Sequence, residues 1–173
     1  MSFTIWRCKN SMDLKQFLEL FNPLPGNCYL QVTTEPDATT TALDQRLQSV
    51  HGELRVAYYT QDKKSFEALN IQTKQQIDNF SKPFRALPRD HDVLIFKDIL
   101  SKHTKPKQLL KIAYTTLANA AHIVIMEKKG VMDIPETLEL LEEYEFRSAN
   151  SIEVLEGYDL IMAKKLHMWG NGL

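Results

Sequence analysis

Six polar side chains stand at the ends of apolar runs, where a chain of alternating strands and helices collects its chemistry. Thr33, Thr34 and Glu35 close one run, Tyr59 closes a second, and Lys97 and Asp98 close a third. Open α/β sheets bind ligands outside the carboxyl ends of their strands, near the point where strand order reverses. With Glu127 and Lys128, these residues would line a polar cleft. In it Glu35 or Asp98 would serve as acid, base or ribose ligand, and Lys97 would contact an anion. The same residues also suit ordinary strand ends joined by mutual salt bridges, because this architecture has such a cleft whether or not it is used.

Other reactive side chains are less well placed. Asp90-His91-Asp92, His103 and His122 are metal-ligand types, but a metal site needs three or four such groups converging. Strand alternation sends neighbours to opposite faces, so Asp90-His91-Asp92 reads as a polar lead-in to a strand. Cys8 and Cys28 lack CxxC spacing and read as reduced thiols, with no support for a Cys/His catalytic pair. Lys102, Lys105, Lys107 and Lys111 form a basic patch without interleaved aromatics, so it reads as a solvated helix end. Glu139, Glu142 and Glu143 read as another solvated face. In the tail from Lys164, Met168 and Trp169 either fold onto their own domain or bury against a partner chain, with Trp169 as an anchor for a homodimer.

The 173 residues carry a net charge of −1 and are 43% hydrophobic and 25% charged. This is an ordinary globular balance, and the length suits one domain with a substantial core. Nucleic acid is not expected as a partner, since no global positive charge would draw it. No apolar run approaches the roughly 18 residues of a membrane span, and no leader pattern is visible, so no membrane association and a cytoplasmic location are expected.

The elements that must position these groups are legible in order. Ser11 can cap a helix over 11–21 that places Leu14, Phe17, Leu18 and Phe21 on one face, stopped by Pro23 and Pro25. Phe3, Ile5 and Trp6 could form a short arm before it. Residues 28–33 read as a strand. Asp37 caps a helix with Leu43, Leu47 and Val50, ended by His51-Gly52 with glycine in the left-handed position. Residues 54–59 read as the second strand, and Asp62 caps a short helix. Ile77 and Phe80 mark a weak third strand or a helix, and Pro83–Pro88 a loop. Val93–Phe96 and Ile123–Met126 are apolar strands joined by a helix with Thr104 as cap, Pro106 in its first turn, and Leu110, Ala113 and Leu117 buried. Such a βαβ unit demands a parallel sheet covered on both faces. Asp133-Ile134-Pro135-Glu136 resembles a capping box opening a helix. Residues 151–155 and 158–163 can pair as an antiparallel hairpin around Glu156-Gly157.

This pattern resembles the Rossmann-like class I S-adenosylmethionine-dependent methyltransferases. LPRDHDVLIFKDILSKHTKPKQLLKIAYTTLANAAHIVIMEKKG is similar to that family's fourth strand, crossover helix and fifth strand. PETLELLEEYEFRSANSIEVLEGYDLIMAKK resembles its closing helix and two final antiparallel strands. The resemblance implies a three-layer α/β sandwich, mostly parallel, with an antiparallel C-terminal hairpin. The resemblance covers roughly residues 27–166, and with the length it implies one domain over 1–173: an N-terminal arm and helix at 1–26, the core at 27–166 and the tail at 167–173. Thr33, Thr34, Glu35, Tyr59, Lys97 and Asp98 would then be the cofactor-binding positions.

Three departures stand out. Where the family has a glycine-rich turn, Val32–Thr39 holds no glycine and contains Pro36, so side chains obstruct close backbone approach. Where the second strand ends in a ribose-binding acid, Tyr59-Thr60-Gln61 stands. Where an aspartate would sit near adenine, Phe84-Arg85-Ala86 stands. Losing several hydrogen bonds of about 0.5–1.5 kcal/mol each weakens binding by a few powers of ten. The expected cofactor is therefore none, or S-adenosylmethionine held weakly. The expected function is a degenerate, non-catalytic binding or scaffold protein, with an active methyltransferase of unknown acceptor as the alternative.

Overall fold

The computed structural model describes residues 14–166. The proposed arm at Phe3–Trp6, the Ser11 cap, Cys8 and the tail 167–173 lie outside the described residues. Helical residues 14–19 (α1) bury Phe17, whose ring meets Phe21 edge-on at 5.3 Å. The chain then runs β1 Cys28–Thr33, α2 Ala38–Gln48, β2 Glu53–Tyr59, α3 Lys63–Ala68, β3 Thr73–Ile77, β4 His91–Lys97, α4 Pro106–Thr116, β5 Leu117–Lys128, α5 Ile134–Glu143, β6 Phe146–Ile152 and β7 Tyr158–Lys165.

The strands form one seven-stranded sheet in the order β3-β2-β1-β4-β5-β7-β6. The first five are parallel, and β7 runs antiparallel to β5 and to β6. One face packs Phe17, Leu43 and Leu47 against Val56, Ile95 and Val124. The other packs Leu109, Leu110, Ala113 and Leu141 against Leu94, Phe96 and Ile123. Central strands covered on both faces must be apolar almost throughout, which is why β4 and β5 stand out in the sequence. Strand order reverses between β1 and β4, so the crevice outside their carboxyl ends is the natural ligand position.

Several boundaries differ from the expected ones. Thr104 does not cap α4; its hydroxyl donates to the Phe80 carbonyl at 3.2 Å, and the N-cap residue is Lys105. Leu117 is the first residue of β5, with no loop between helix and strand. There the buried Lys165 ammonium donates to the carbonyls of Tyr114 at 2.6 Å and Leu117 at 2.8 Å, satisfying the groups a helix end leaves open. His51, not Gly52, takes the left-handed conformation, at φ +57. Gly52 is there for space: a Cβ on it would stand 2.7 Å from the Asn27 carbonyl oxygen. The strand expected at 151–155 begins five residues earlier, at Phe146. Phe146 is fully buried against Tyr114, and pairing with β7 carries the weak strand formers behind it into the sheet. Ile77 lies on β3, while Phe80 belongs to the helix-free connection to β4.

Candidate functional site

At the carboxyl ends of β1 and β4 stands an ion cluster centred on Lys97. The first turn of α2 is capped by Asp37, whose Oδ1 accepts from the Thr39 amide at 2.9 Å while Thr40 Oγ1 accepts from the Asp37 amide, closing a capping box. This cap aims Asp37 Oδ2 at β4. Lys97, the last residue of β4, has a side chain 0% exposed. Its ammonium donates to the Glu35 carbonyl at 2.7 Å and lies 3.1 Å from Asp37 Oδ2 and 3.2 Å from Asp98 Oδ2. Asp98 sits in the left-handed region at φ +56, which turns its carboxylate back over the strand end. There it also accepts from the Tyr158 hydroxyl at 2.9 Å, and the Tyr158 ring lies 5.4 Å from the ammonium. Burial, and then the bond to Asp98, push the Tyr158 phenol well above its ordinary range.

Four of the six expected site residues thus converge: Thr34, Glu35, Lys97 and Asp98. Thr34 Oγ1 donates to the Asp98 carbonyl at 3.1 Å, and Glu35 lends its carbonyl to Lys97 and its carboxylate to exposed Lys128 at 3.5 Å. Thr33 is buried beneath, its hydroxyl accepting the Glu35 amide at 3.0 Å. Tyr59 is taken up elsewhere. Its hydroxyl donates to the Lys82 carbonyl at 2.6 Å, and its ring stacks on Phe80 and meets His103 edge-on. The end of β2 is therefore packed with aromatic rings, and burial pushes the Tyr59 phenol well up. Asp37 and Tyr158 are members that sequence reasoning did not include. Asp37 was read only as a cap, and Tyr158 is 60 residues from Asp98 in the chain.

The remaining candidates are engaged separately. Asp90 pairs with Arg55, Asp92 accepts the Cys28 amide at 2.8 Å, and the His91 ring meets Thr116 Oγ1 at 2.7 Å. Burial and the Arg55 cation push His91 down to about 4. His103 holds the Lys82 carbonyl and the Lys105 amide. Among the described residues no three His, Cys, Asp or Glu side chains are grouped to hold a metal. Burial pushes the Cys28 thiol up to about 11, which leaves it a poor nucleophile at neutral pH. Of the basic patch, Lys102 reaches the cluster's edge, 3.4 Å from Thr34 Oγ1. No helix among the described residues is long and apolar enough to cross a membrane.

Neither a protein-family model nor a curated protein matches the chain. The fold does match solved structures. An S-adenosylmethionine-dependent methyltransferase from Aquifex aeolicus aligns at TM-score 0.69 and 16% identity over 90% of each chain. The CurJ carbon methyltransferase aligns at TM-score 0.64 and 17% identity, over 87% of this chain and 51% of that one. Phosphoethanolamine N-methyltransferase 2 from Haemonchus contortus, solved with S-adenosyl-L-methionine, aligns at TM-score 0.67 and 8% identity, over 91% of this chain and 53% of that one. The chain therefore spans about half the length of two of these three. At such identities the likeness establishes the fold: a class I methyltransferase-like, Rossmann-like sheet with an antiparallel C-terminal hairpin.

Proposed function

We propose that this protein keeps the methyltransferase fold as a binding or scaffold module, without catalysis, its cofactor cradle replaced by the Lys97 cluster. One observation carries this reading: a fully buried ammonium bonded to the carbonyl of the loop after β1 and to Asp37 and Asp98. A cofactor lying against that loop would have to displace the lysine and leave Asp98, 3% exposed at its side chain, without a counter-ion. Glycine is absent from 33–39, so the backbone offers no alternative approach. S-adenosylmethionine does not fit the residues present.

The alternative reading, an active methyltransferase, draws on the fold and on a neighbour solved with S-adenosyl-L-methionine. Thr33, Thr34, Glu35, Tyr59, Lys97 and Asp98 would be its cofactor contacts. Calorimetric and thermal-shift titration with S-adenosylmethionine and S-adenosylhomocysteine separates the two. We expect neither heat nor a shift at millimolar ligand. A ligand present at 100 times its Kd would stabilise by about 2.7 kcal/mol, and a shift of that size would overturn the proposal. The scaffold reading includes a single cytoplasmic domain that pairs as a homodimer through residues 167–173. Deleting those residues should then convert dimer to monomer in light scattering.

A further inference from the structure

A cavity of about 210 Å³ opens at the carboxyl end of β5, between the turn at Leu100-Ser101 and helix α5. It shares no lining residue with the Lys97 cluster. Leu100, Ile125, Met132 and Leu140 give it apolar walls, and Val131, 54% exposed, stands at its lip. Glu127, Asp133 and Glu136 also line it, and among the described residues no lysine, arginine or histidine does. Lys102 acts on Glu127 electrostatically, but its ammonium is turned to Thr34 Oγ1 at 3.4 Å.

Glu127 is the fixed point of the cavity. Strand alternation puts it on the same face as Ile125, and it is 3% exposed. The Ser101 amide donates to its Oε1 at 3.1 Å and the Ser101 hydroxyl to its Oε2 at 2.9 Å. Each oxygen still has a lone pair free, so the carboxylate is held in place but can accept further donors. Burial pushes its carboxyl above the usual range, and an arriving cation would relieve that.

We propose that this pocket binds the side chain of a lysine on a partner protein, its methylenes against Leu100, Met132 and Leu140 and its ammonium on Glu127. Size and polarity select that occupant. The cavity is smaller than the ~300–1,000 Å³ of drug-sized sites, so it admits one side chain rather than a whole small molecule. Apolar walls ending in a buried carboxylate match a flexible apolar stem with a compact positive head. Outside the pocket, exposed Glu143 lies two turns beyond Glu136 on the same side of α5 and continues the negative charge, complementary to a basic residue flanking the lysine. The pocket has no lining residue in common with the Lys97 cluster, and only the charge of Asp98 reaches Glu127 from there.

Methyl-resolved NMR of the full chain tests it, with Nα-acetyl-lysine amide as probe and Nα-acetyl-norleucine amide, the same four-carbon stem without the ammonium, as its uncharged counterpart. The lysine probe should give saturable shifts at the methyls of Leu100, Met132 and Leu140, and the norleucine probe should bind about tenfold more weakly or worse. Glu127→Gln should weaken the lysine probe by about tenfold. Glu136→Lys, at an exposed position that does not endanger the fold, should weaken it about threefold by setting a cation at the rim. Equal binding of the two probes, shifts confined to other parts of the molecule, or unchanged affinity in Glu136→Lys would overturn the assignment even if Glu127→Gln failed to fold.

Discussion

Replacing Lys97 with methionine keeps the volume of the stem and removes the charge at the centre of the cluster. Three contacts disappear, at 2.7 Å to the Glu35 carbonyl, 3.1 Å to Asp37 and 3.2 Å to Asp98. The partners are left unequally. Asp37 is 36% exposed at its side chain and can be solvated, whereas Asp98, at 3%, keeps only the Tyr158 hydroxyl among the described residues. Breaking a buried pair by removing one partner costs about 3–5 kcal/mol, mostly for the charge left behind. At an m-value of about 2 kcal/mol/M, the urea midpoint should fall by roughly 2 M. The control is Lys97→Met with Asp98→Asn. Asparagine tolerates the left-handed backbone at φ +56 and carries no charge to strand. The double variant should therefore recover about 2 kcal/mol of the loss, a coupling typical of groups in one network. Equilibrium urea unfolding followed by circular dichroism measures both. A single variant within about 1 kcal/mol of the parent, or a double variant no better than the single, would refute the view that a buried ion pair closes this crevice.

Other outcomes follow from separate features. His91 is pushed down to about 4 from its ordinary 6.5, so the unfolded chain binds the extra proton between those values. Its contribution is complete above pH 6.5 and is lost as pH falls toward 4, up to about 3 kcal/mol, and His91→Gln should flatten the dependence of the urea midpoint over that window. Gly52→Ala drives a Cβ to 2.7 Å from the Asn27 carbonyl and should lower stability by about 1–3 kcal/mol, read as a fall of about 2–4 °C in Tm for each kcal/mol. Gln31 is fully buried, its Oε1 accepting the Thr40 hydroxyl while its Nε2 has no partner among the described residues. Gln31→Leu should therefore leave stability within about 1 kcal/mol of the parent, and a loss above 2 kcal/mol in thermal unfolding would show that the amide is satisfied after all.

The order of elements, the parallel core and the final hairpin could be read from residue patterns, because a strand buried on both faces must be apolar along its length. Val93–Phe96 and Ile123–Met126 announce themselves in this way. Caps were legible where one side chain reaches its own helix, as at Asp37, Asp62 and Asp133. They were not legible at α4, where Thr104 is drawn off to the Phe80 carbonyl across the fold. The sequence also showed that the loop after β1 has no glycine, hence no room for close backbone approach. What takes that space was decided in three dimensions. Lys97 at the end of β4, Asp37 at the start of α2 and Tyr158 at the start of β7 meet only because β1 pairs with β4 and β7 is laid against β5. Strand ends distant in the chain are brought within hydrogen-bond reach by sheet order, and local patterning carries no record of that order.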